Sequence, residues 1–531
     1  MNAYGTFAAR KTALPRRLRK SNFLFAGIVV LALVGVVALA SATAAADVPA
    51  DVLRRAAHVA PSPRQLAWQE LEFNCFVHFG INTFTDRDWG DGSEDPKLFN
   101  PAELNADQWV AACKQAGMKM LVLTCKHHDG FCLWPSKFTE HCVKNSLWRG
   151  GKGDLLKEVS DACRRGGIKF GVYLSLWDRH EKTYGSDAYD DHYKNQLREL
   201  MTNYGEITEV WWDGCYAEGP NGKKPVFDWK GYIKVIRELQ PGALIAVMGP
   251  DIRWVGNESG LARESEWSAL PEGRIGDPDY AAYIAKDLGN RKYLIGAKEL
   301  IWYPAECDVT IRPSFFYKAS EDKQVKSLAE LLDIYYRSVG QNAVLLLNVP
   351  PDRRGLFPEN DVARLRELRA TLDETFKTNL AAGKPIRATS AAAGHAAEMA
   401  VDGNGGTYWT PAAGVIQASL EIDLGRSVTF DRAMLQEMIS TGQRVERFKL
   451  EAFDGQSWKT FAEATTIGCK RLMRLPAVTA SKVRLTILDS RDTPTIREFG
   501  LYKSAPWTTC RGRFKTGLSL KGRSDVAQLR P

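Results

Sequence analysis

Apolar and polar stretches alternate along the first two thirds of the chain in a repeating strand and helix pattern. Continuous apolar runs predict buried strands at residues 73–80, 119–125, 168–176, 210–212, 243–248 and 343–349. Apolar residues at helical spacing predict helices at 105–117, 155–165, 194–204, 229–239, 328–340 and 362–376. Strands that are apolar on both faces and alternate with helices are typical of parallel sheets covered by helices. We therefore predict an α/β domain, a (β/α)8-like barrel, over residues 47–378.

An open, doubly wound sheet is the alternative for the same pattern. Such sheets usually carry a glycine-rich phosphate loop after the first strand, and no such loop follows residues 73–80. This absence favours the barrel.

The pattern changes after residue 378. Residues 379–384 are predicted to form a linker, and 419–424, 448–453 and 483–487 alternate apolar and polar positions. Short alternating strands separated by turns are typical of an all-β sandwich, which we place at 385–504. Residues 505–531 lack apolar periodicity and are basic, so we predict a disordered tail.

The amino terminus has the pattern of an export signal. Six Lys and Arg residues precede an apolar run at 23–40, which the small residues 41–46 follow. We predict a signal peptide at 1–46 and an exported protein, periplasmic or extracellular. A membrane contact is expected only if this segment stays uncleaved, because the run is long enough to span a bilayer.

The net charge of +8 comes from the two ends of the chain. Residues 1–46 contribute +6 and residues 505–531 contribute +5, which leaves −3 for the body. A near-neutral body excludes a basic nucleic-acid-binding face, so no nucleic-acid partner is predicted. The ten Cys include no CxxC pair, and those in apolar runs are expected to be buried thiols.

Several polar residues fall at the predicted ends of strands. His78, His127, His128 and Asp213 all do so. In a (β/α)8 barrel the carboxyl ends of the strands form one active face. Asp213 alone would be equally consistent with a helix or turn cap. Several polar strand ends on one face indicate a pocket with a catalytic Asp213.

The histidines do not have the pattern of a metal site. Neighbouring residues on a strand point to opposite faces, so His127 and His128 would not share an ion on regular backbone. The sequence has no HxH or HExxH motif. We predict no metal and no cofactor, and expect neutral imidazoles that hydrogen-bond to sugar hydroxyls. Possible stacking surfaces are Trp89, Trp134, Trp177 and Trp211.

Taken together, these motifs resemble the α-L-fucosidases of glycoside hydrolase family 29. The similar segments are 78–80, 126–131, 211–214, 253–258, 266–268, 304–313 and 347–352. Segments 256–258 and 304–306 are most similar to the subgroup that prefers α-1,3- or α-1,4-linked fucose. In the carboxy-terminal part, 400–409, 424–425 and 496–499 resemble a discoidin-like (coagulation factor C-type) domain.

The resemblance implies a retaining mechanism with two carboxyl groups. Asp213 matches the family nucleophile, and Glu258, in the loop after the next predicted strand, is our choice for the acid/base. A raised pKa caused by the nearby Asp213 would suit a general acid. The rival acids are Glu264, Glu266, Glu272 and Glu306.

The resemblance also implies a fucose pocket. The family residues that hold the sugar hydroxyls are matched by His78, His127 and His128. The family also has an acidic residue followed by Trp, which Asp88 and Trp89 match, although the acidic residue is more usually Glu. The shorter Asp88 side chain could weaken or reroute one hydroxyl contact. Further ligands are expected at Tyr173, Trp211 and Arg253.

These observations predict an exported retaining exo-α-L-fucosidase, whose partner is a fucosylated glycan. One alternative is a catalytically silent fucose-binding protein. The other is an exo-glycosidase of different sugar specificity. The part of the pocket around C6 of the sugar would distinguish this enzyme from a fucosidase, because a methyl-sized apolar wall there indicates fucose.

Overall fold

The structure, a computed structural model, describes residues 48–275, 277 and 279–504. The predicted signal peptide at 1–46 and the predicted tail at 505–531 lie outside these residues, and both stay predictions. Across the described residues, no helix has the length and apolar character needed to cross a membrane.

Eight parallel strands form the sheet of the first domain. They are β1 Phe73–Val77, β2 Met120–Lys126, β3 Lys169–Leu174, β4 Glu209–Trp212, β5 Leu244–Val247, β6 Arg253–Trp254, β9 Ala305–Thr310 and β10 Ala343–Asn348. Their spatial order is β5-β4-β3-β2-β1-β10-β9-β6. One parallel bridge, Ala246 to Ile252, joins the two ends of this sheet. The sheet is therefore a nearly closed barrel, which confirms the predicted fold class.

Helices lie between most of these strands. The described helices are Ala50–Ala57, Pro63–Gln69, Asn82–Thr85, Ala106–Ala116, Leu155–Gly166, Asp187–Asn203, Trp229–Leu239, Tyr280–Ile284, Arg291–Leu294, Leu328–Arg337 and Glu359–Phe376. Local sequence explains their ends. Asn105 accepts the Gln108 N–H at 3.0 Å as an N-cap, and Gly117 ends the same helix in the left-handed conformation.

One helix begins earlier than its periodicity predicts. It starts at Asp187 rather than at residue 194, because Tyr189 and Tyr193 extend the buried face formed by Leu197 and Leu200. Charged residues in the first two turns obscure this face in the sequence.

The barrel has no helix between β5 and β6. The chain turns back within residues 247–253, and Val247 adopts a φ of 64°. A β-branched residue rarely adopts positive φ, so the backbone is strained at this turn. Because β6 is only two residues long, its periodicity could not be read from the sequence. An antiparallel pair, β7 Ala269–Pro271 and β8 Leu300–Trp302, lies outside the barrel sheet.

The second domain is an antiparallel all-β domain. Its strands are β11 Ile386–Ala388, β12 Ala418–Gln436, β13 Val445–Phe453, β14 Trp458–Ala464, β15 Arg471–Ser490 and β16 Glu498–Tyr502. Strands β12 and β15 pair along most of their length, with register shifts after Asp423 and Phe430. Their inward-facing residues, such as Leu420, Leu485 and Phe499, are buried in a separate core.

The predicted linker at 379–384 forms turns that contact the second domain. The Leu380 N–H donates to the Leu501 carbonyl at 2.8 Å, and the Gly383 N–H donates to the Val401 carbonyl at 2.8 Å. Ala381 is fully buried in the core of the sandwich.

The two domains also share a buried polar contact centred on Gln443. Its side chain accepts the Ser268 N–H and donates to the Glu266 carbonyl, both at 2.9 Å. Asn342 donates to the same Glu266 carbonyl and accepts the Cys469 N–H at 2.7 Å. All five residues are buried and the groups named here are paired, so this contact joins the domains through satisfied hydrogen bonds.

We expect Gln443→Leu to lower the free energy of unfolding by about 2–4 kcal/mol. The apolar side chain would leave the buried Ser268 N–H unpaired, which costs about 1–3 kcal/mol, and would remove one of the two donors to the Glu266 carbonyl, which is worth about 0.5–1.5 kcal/mol. Denaturant unfolding measures the loss. The control is Gln456→Leu in an exposed turn, where the change should stay within about 0.5 kcal/mol. Equal effects of the two substitutions would contradict a structural role for the Gln443 contact.

Candidate active site

A cavity of about 250 Å³ opens at the carboxyl ends of the barrel strands. Its lining consists of polar residues and aromatic rings from most of the strands and from the loops that follow them. These residues are Phe76, His78, Asp88, Trp89, His127, His128, Trp211, Asp213, Gly214, Cys215, Val247, Trp254, Glu258, Ala281, Asp308 and Phe315. This is the face on which (β/α)8 barrels carry catalytic groups.

Asp213 follows β4 directly and is held by two donors. The Tyr173 hydroxyl donates to its Oδ2 at 3.0 Å, and the Cys215 N–H donates to its Oδ1 at 2.7 Å. His128 Nε2 lies 3.6 Å from the same Oδ2. These contacts fix the carboxylate at the cavity, where its side chain is 23% exposed.

Opposing effects set the protonation of Asp213. Burial raises its pKa to about 6, while the bonds from Cys215 and Tyr173 lower it. The carboxylate is therefore ionised at neutral pH but poorly solvated. This state suits a nucleophile, because a carboxylate with few water contacts loses little solvation when it attacks.

The three predicted histidines line the cavity together. The rings of His127 and His128 are 4.2 Å apart, and those of His78 and His127 are 5.5 Å apart. The expectation that His127 and His128 point to opposite faces was wrong. Strand β2 ends at Lys126, so both residues lie in the turn after it, where strand alternation does not apply.

The histidines are neutral at physiological pH. Burial lowers the pKa of His78 and of His128 to about 3, and it lowers that of His127 well below its usual range. His78 Nδ1 bonds Asn348 at 2.9 Å, and His128 Nδ1 bonds Ser175 at 2.7 Å. His127 Nδ1 is buried with no protein partner. Neutral imidazoles can both donate to and accept from hydroxyl groups.

Glu258 lines the same cavity as Asp213. It lies in the loop after β6, and its side chain reaches from this open loop into the cavity lining. Partial burial raises its pKa, and the negative charge of Asp213 raises it further. Two carboxyl groups with raised pKa values, Asp213 and Glu258, thus line one cavity, which is an arrangement that acid/base chemistry can use.

The rival acids have other places in the fold. Glu266 is buried and pairs with Arg253 and Arg263, and Glu306 accepts the Trp211 indole N–H at 2.9 Å. Glu264 and Glu272 lie outside the cavity lining. Among the five candidates, only Glu258 reaches the cavity.

Asp88 and Trp89 lie at the mouth of the cavity. Asp88 Oδ2 pairs with Lys318 Nζ at 2.7 Å, and its Oδ1 accepts the Phe316 N–H at 3.4 Å. Trp89 is 53% exposed and meets the Trp177 ring edge-on at 5.8 Å. The large exposed indole makes Trp89 an accessible apolar surface beside the polar groups.

The remaining predicted ligands divide into lining and supporting residues. Trp211 lines the cavity and stacks on Tyr173 at 5.3 Å. Tyr173 is fully buried and contacts Asp213 through its hydroxyl. Arg253 is 1% exposed, pairs with Glu266 and donates to the Ile284 carbonyl at 3.2 Å. The structure therefore places Arg253 behind the cavity wall.

Two of the four proposed stacking tryptophans lie away from the cavity lining. Trp134 is buried and donates to Glu199 at 2.8 Å. Trp177 is 8% exposed and packs between Trp89 and His128. Trp177 therefore supports two lining residues, Trp89 and His128, from outside the cavity.

Among the lining residues that sequence reasoning did not predict, four carry aromatic or carboxyl side chains. Trp254 donates to Asp308 Oδ1 at 2.8 Å, and Phe76 and Phe315 supply an aromatic wall beside His78. Burial, followed by the charge of Glu258, raises the pKa of Asp308 to about 7. Trp254 and Asp308 fall within quoted motifs, and their position at β6 and β9 could have identified them.

Within the described part of the chain, no group of three or more His, Cys, Asp or Glu side chains is arranged to hold a metal ion.

Two family models match the chain, one for each domain. The alpha-L-fucosidase model matches residues 89–374, and the F5/8 type C domain model matches residues 385–499. The second match agrees with the discoidin-like resemblance of the all-β domain.

Named relatives and solved structures are similar over most of the chain. Alpha-L-fucosidase 1 of Arabidopsis thaliana is 40% identical over 83% of this chain and 87% of its own length. A Ruminococcus gnavus GH29 fucosidase, solved in complex with fucose, is 33% identical with a TM-score of 0.76, covering 84% of this chain and 95% of its own. The crystal structure of SpGH29 is 38% identical with a TM-score of 0.78, covering 84% and 99%.

These matches extend over both domains and coincide with a cavity built from carboxyl, imidazole and aromatic groups. The chain therefore belongs to the alpha-L-fucosidase family, glycoside hydrolase family 29, and is a fucose-releasing glycosidase.

Proposed function

We propose that this chain is an exported, retaining exo-α-L-fucosidase that removes terminal fucose in α-1,3 or α-1,4 linkage by double displacement. The observation that carries the proposal is the placement of two carboxyl groups with raised pKa values, Asp213 and Glu258, in the lining of one small cavity. Retaining glycosidases need such a pair.

In the first step, Asp213 Oδ attacks the anomeric carbon of fucose and the bond to the leaving oxygen breaks. Glu258 gives its proton to that oxygen, so the departing sugar leaves as an alcohol. In the second step, Glu258 takes a proton from water, and the resulting hydroxide displaces Asp213 from the anomeric carbon. Two inversions give net retention.

The pocket suits a 6-deoxy sugar. Neutral His78, His127 and His128 can exchange hydrogen bonds with hydroxyl groups, and His127 Nδ1 has no protein partner. Phe76 and Phe315 provide apolar surface for a methyl group. Such an apolar contact discriminates against a hydroxymethyl sugar by about 1–3 kcal/mol.

The sequence of residues 1–46, a basic segment followed by an apolar run and small residues, supports the proposed export. Amino-terminal sequencing of the protein isolated from cell envelope and medium fractions tests it. A mature chain that begins near residue 47 supports export, and an intact amino terminus in the cytoplasm contradicts it.

Hydrolysis assays test the enzymatic proposal. We expect cleavage of an aryl α-L-fucoside and of α-1,3- and α-1,4-fucosylated trisaccharides, with slower cleavage of an α-1,2-linked one. NMR of the first product should show α-L-fucose before mutarotation. Initial release of β-L-fucose would overturn the retaining mechanism, and equal rates on all linkages would overturn the preference. Fucose binding without any cleavage would favour the silent binding protein.

A further inference from the structure

Lys126, the last residue of β2, is fully buried and lies outside the cavity lining. Its ammonium group donates to Asp178 Oδ2 at 2.8 Å, to Gln196 Oε1 at 2.9 Å and to the Tyr189 hydroxyl oxygen at 3.5 Å. These three acceptors match the three N–H groups of an ammonium. The cation is therefore completely satisfied by side chains behind the cavity.

The ion pair between Lys126 and Asp178 is closed to solvent, because the two side chains are 0% and 3% exposed. Burial would raise the pKa of Asp178, but the charge and the hydrogen bond of Lys126 outweigh it and hold this pKa at about 2. Both groups are therefore charged at neutral pH. A buried ion pair adds little net stability, so the conformation that it fixes is the feature to be explained.

The carboxylate of Asp178 holds the turn that follows β3. Its Oδ1 accepts the N–H groups of His180 and Glu181 at 3.1 and 2.9 Å. Within this turn, from Asp178 to Glu181 and here called the β3 turn, the Arg179 N–H donates to the His128 carbonyl at 2.9 Å. The β3 turn is therefore fixed to the end of β2 by the ion pair and by a backbone hydrogen bond.

The loop that carries Trp89 packs on the β3 turn. The imidazole of His180 donates through Nδ1 to the Gly92 carbonyl at 2.7 Å, and the guanidinium of Arg179 donates to the Gly90 carbonyl. Gly92 has a φ of 84°, and a Cβ atom there would lie 2.4 Å from the Arg179 carbonyl oxygen. Loop and turn are therefore in direct backbone contact on both sides of Trp89.

We propose that Lys126 and Asp178 are positioning residues that hold Trp89 at the mouth of the cavity through the β3 turn. Neither residue lines the cavity, but Trp89 does, and its ring meets that of His128 edge-on at 5.5 Å. The effect on sugar binding rests on the function proposed above, whereas the link from the ion pair to the loop does not.

Hydrogen exchange tests this link without any substrate. Lys126→Met/Asp178→Asn, here called the uncharged variant, removes both charges and keeps an oxygen acceptor for the β3 turn. We expect amides in 86–94 to exchange at least about fivefold faster than in the wild type, because the turn is no longer tied to β2. Unchanged exchange in this segment would overturn the proposal.

Glu451→Gln is the matched control for the uncharged variant. Glu451 is 3% exposed and pairs with Arg484 at 2.9 Å, but it lies in the second domain. Its substitution also weakens a buried ion pair, so Tm should fall, while exchange in 86–94 should stay at the wild-type rate. Equal acceleration in both variants would show a general loss of stability and would overturn the link.

A double-mutant cycle tests the positioning role. We expect KM for a fucosylated trisaccharide to rise about tenfold in the uncharged variant, with kcat within about threefold of the wild-type value. If the ion pair acts through Trp89, adding these substitutions to Trp89→Ala should change KM by less than about twofold. A full tenfold rise in the Trp89→Ala background would overturn the positioning role.

His180→Ala tests the outer end of the same link if the uncharged variant does not fold. His180 is exposed, and its loss removes the donor to the Gly92 carbonyl. We expect faster exchange in 86–94 and a rise in KM of about threefold, which should again disappear in the Trp89→Ala background. Wild-type exchange in His180→Ala would overturn the link. A wild type that neither cleaves nor binds fucosides would instead refute the proposed function, and the exchange result would still decide the link.

Discussion

Asp213→Ala is expected to lower kcat/KM by at least about 10⁴-fold on an aryl α-L-fucoside. Loss of the nucleophile of a double displacement removes a bond-forming group, and comparable losses in other hydrolases are on the order of 10⁶ in kcat. The loss should be similar for a trisaccharide, because both substrates need the same attack. Steady-state kinetics with protein checked by circular dichroism measures it.

Azide distinguishes a lost nucleophile from a damaged site. In Asp213→Ala a small cavity replaces the carboxylate, and azide can attack the anomeric carbon from the same face. We expect azide to accelerate fucoside consumption and to give the fucosyl azide of inverted, β configuration. A rescued product of α configuration would place the nucleophile elsewhere.

Asp308→Asn is the matched control for this experiment. Asp308 lines the same cavity and is 4% exposed, but the Trp254 indole N–H already bonds its Oδ1. We expect a loss of at most about 10²-fold and no response to azide. A loss in Asp308→Asn as large as that in Asp213→Ala, with azide rescue, would exchange the roles of the two acids.

The sequence was sufficient to find Asp213 because a strand end is a local feature. Val210, Trp211 and Trp212 favour a strand, Gly214 ends it, and the barrel then fixes the face on which Asp213 lies. His78 could be found in the same way after β1. Periodicity also predicted the helix at Trp229–Leu239, whose bounds agree with the structure.

Other features depend on how the chain leaves a strand, which periodicity does not report. His127 and His128 share the cavity because β2 ends one residue before them. Arg253 lies behind the wall because β6 directs its guanidinium toward Glu266, whereas the next residue, Trp254, reaches the cavity. A strand of two residues is too short for its sequence pattern to show which of the two side chains faces the cavity.

The acid/base residue is even harder to identify from the sequence. Five glutamates follow Asp213 in or near the matching segments, and sequence spacing treats them alike. Long-range packing separates them: Glu266 neutralises Arg253, and Glu306 supports Trp211. Of these five glutamates, Glu258 alone lines the cavity, and it lies on the loop after β6.

Glu258→Gln is expected to lower kcat/KM on an α-1,3/1,4-fucosylated trisaccharide by about 10²–10⁴-fold, the usual contribution of a general acid. The loss should be much smaller for the first step on an aryl fucoside with an acidic phenol, because that leaving group needs no proton. Glu264→Gln, in an exposed position six residues further on, is the control and should stay within about twofold.

The pH profile of kcat/KM adds an independent test of the same pair. Asp213 must be ionised, and burial raises its pKa to about 6, so activity should fall as pH drops below about 6. Glu258 must be protonated, and burial together with the charge of Asp213 raises its pKa, so activity should also fall as pH rises through the pKa of Glu258. On the aryl fucoside, Glu258→Gln should keep the acidic limb and lose the basic one, since an amide has no proton to lose in this range. If Glu258→Gln keeps the basic limb, that limb belongs to another acid of the cavity. Asp308, which lines the cavity and has a pKa of about 7, would then be the candidate.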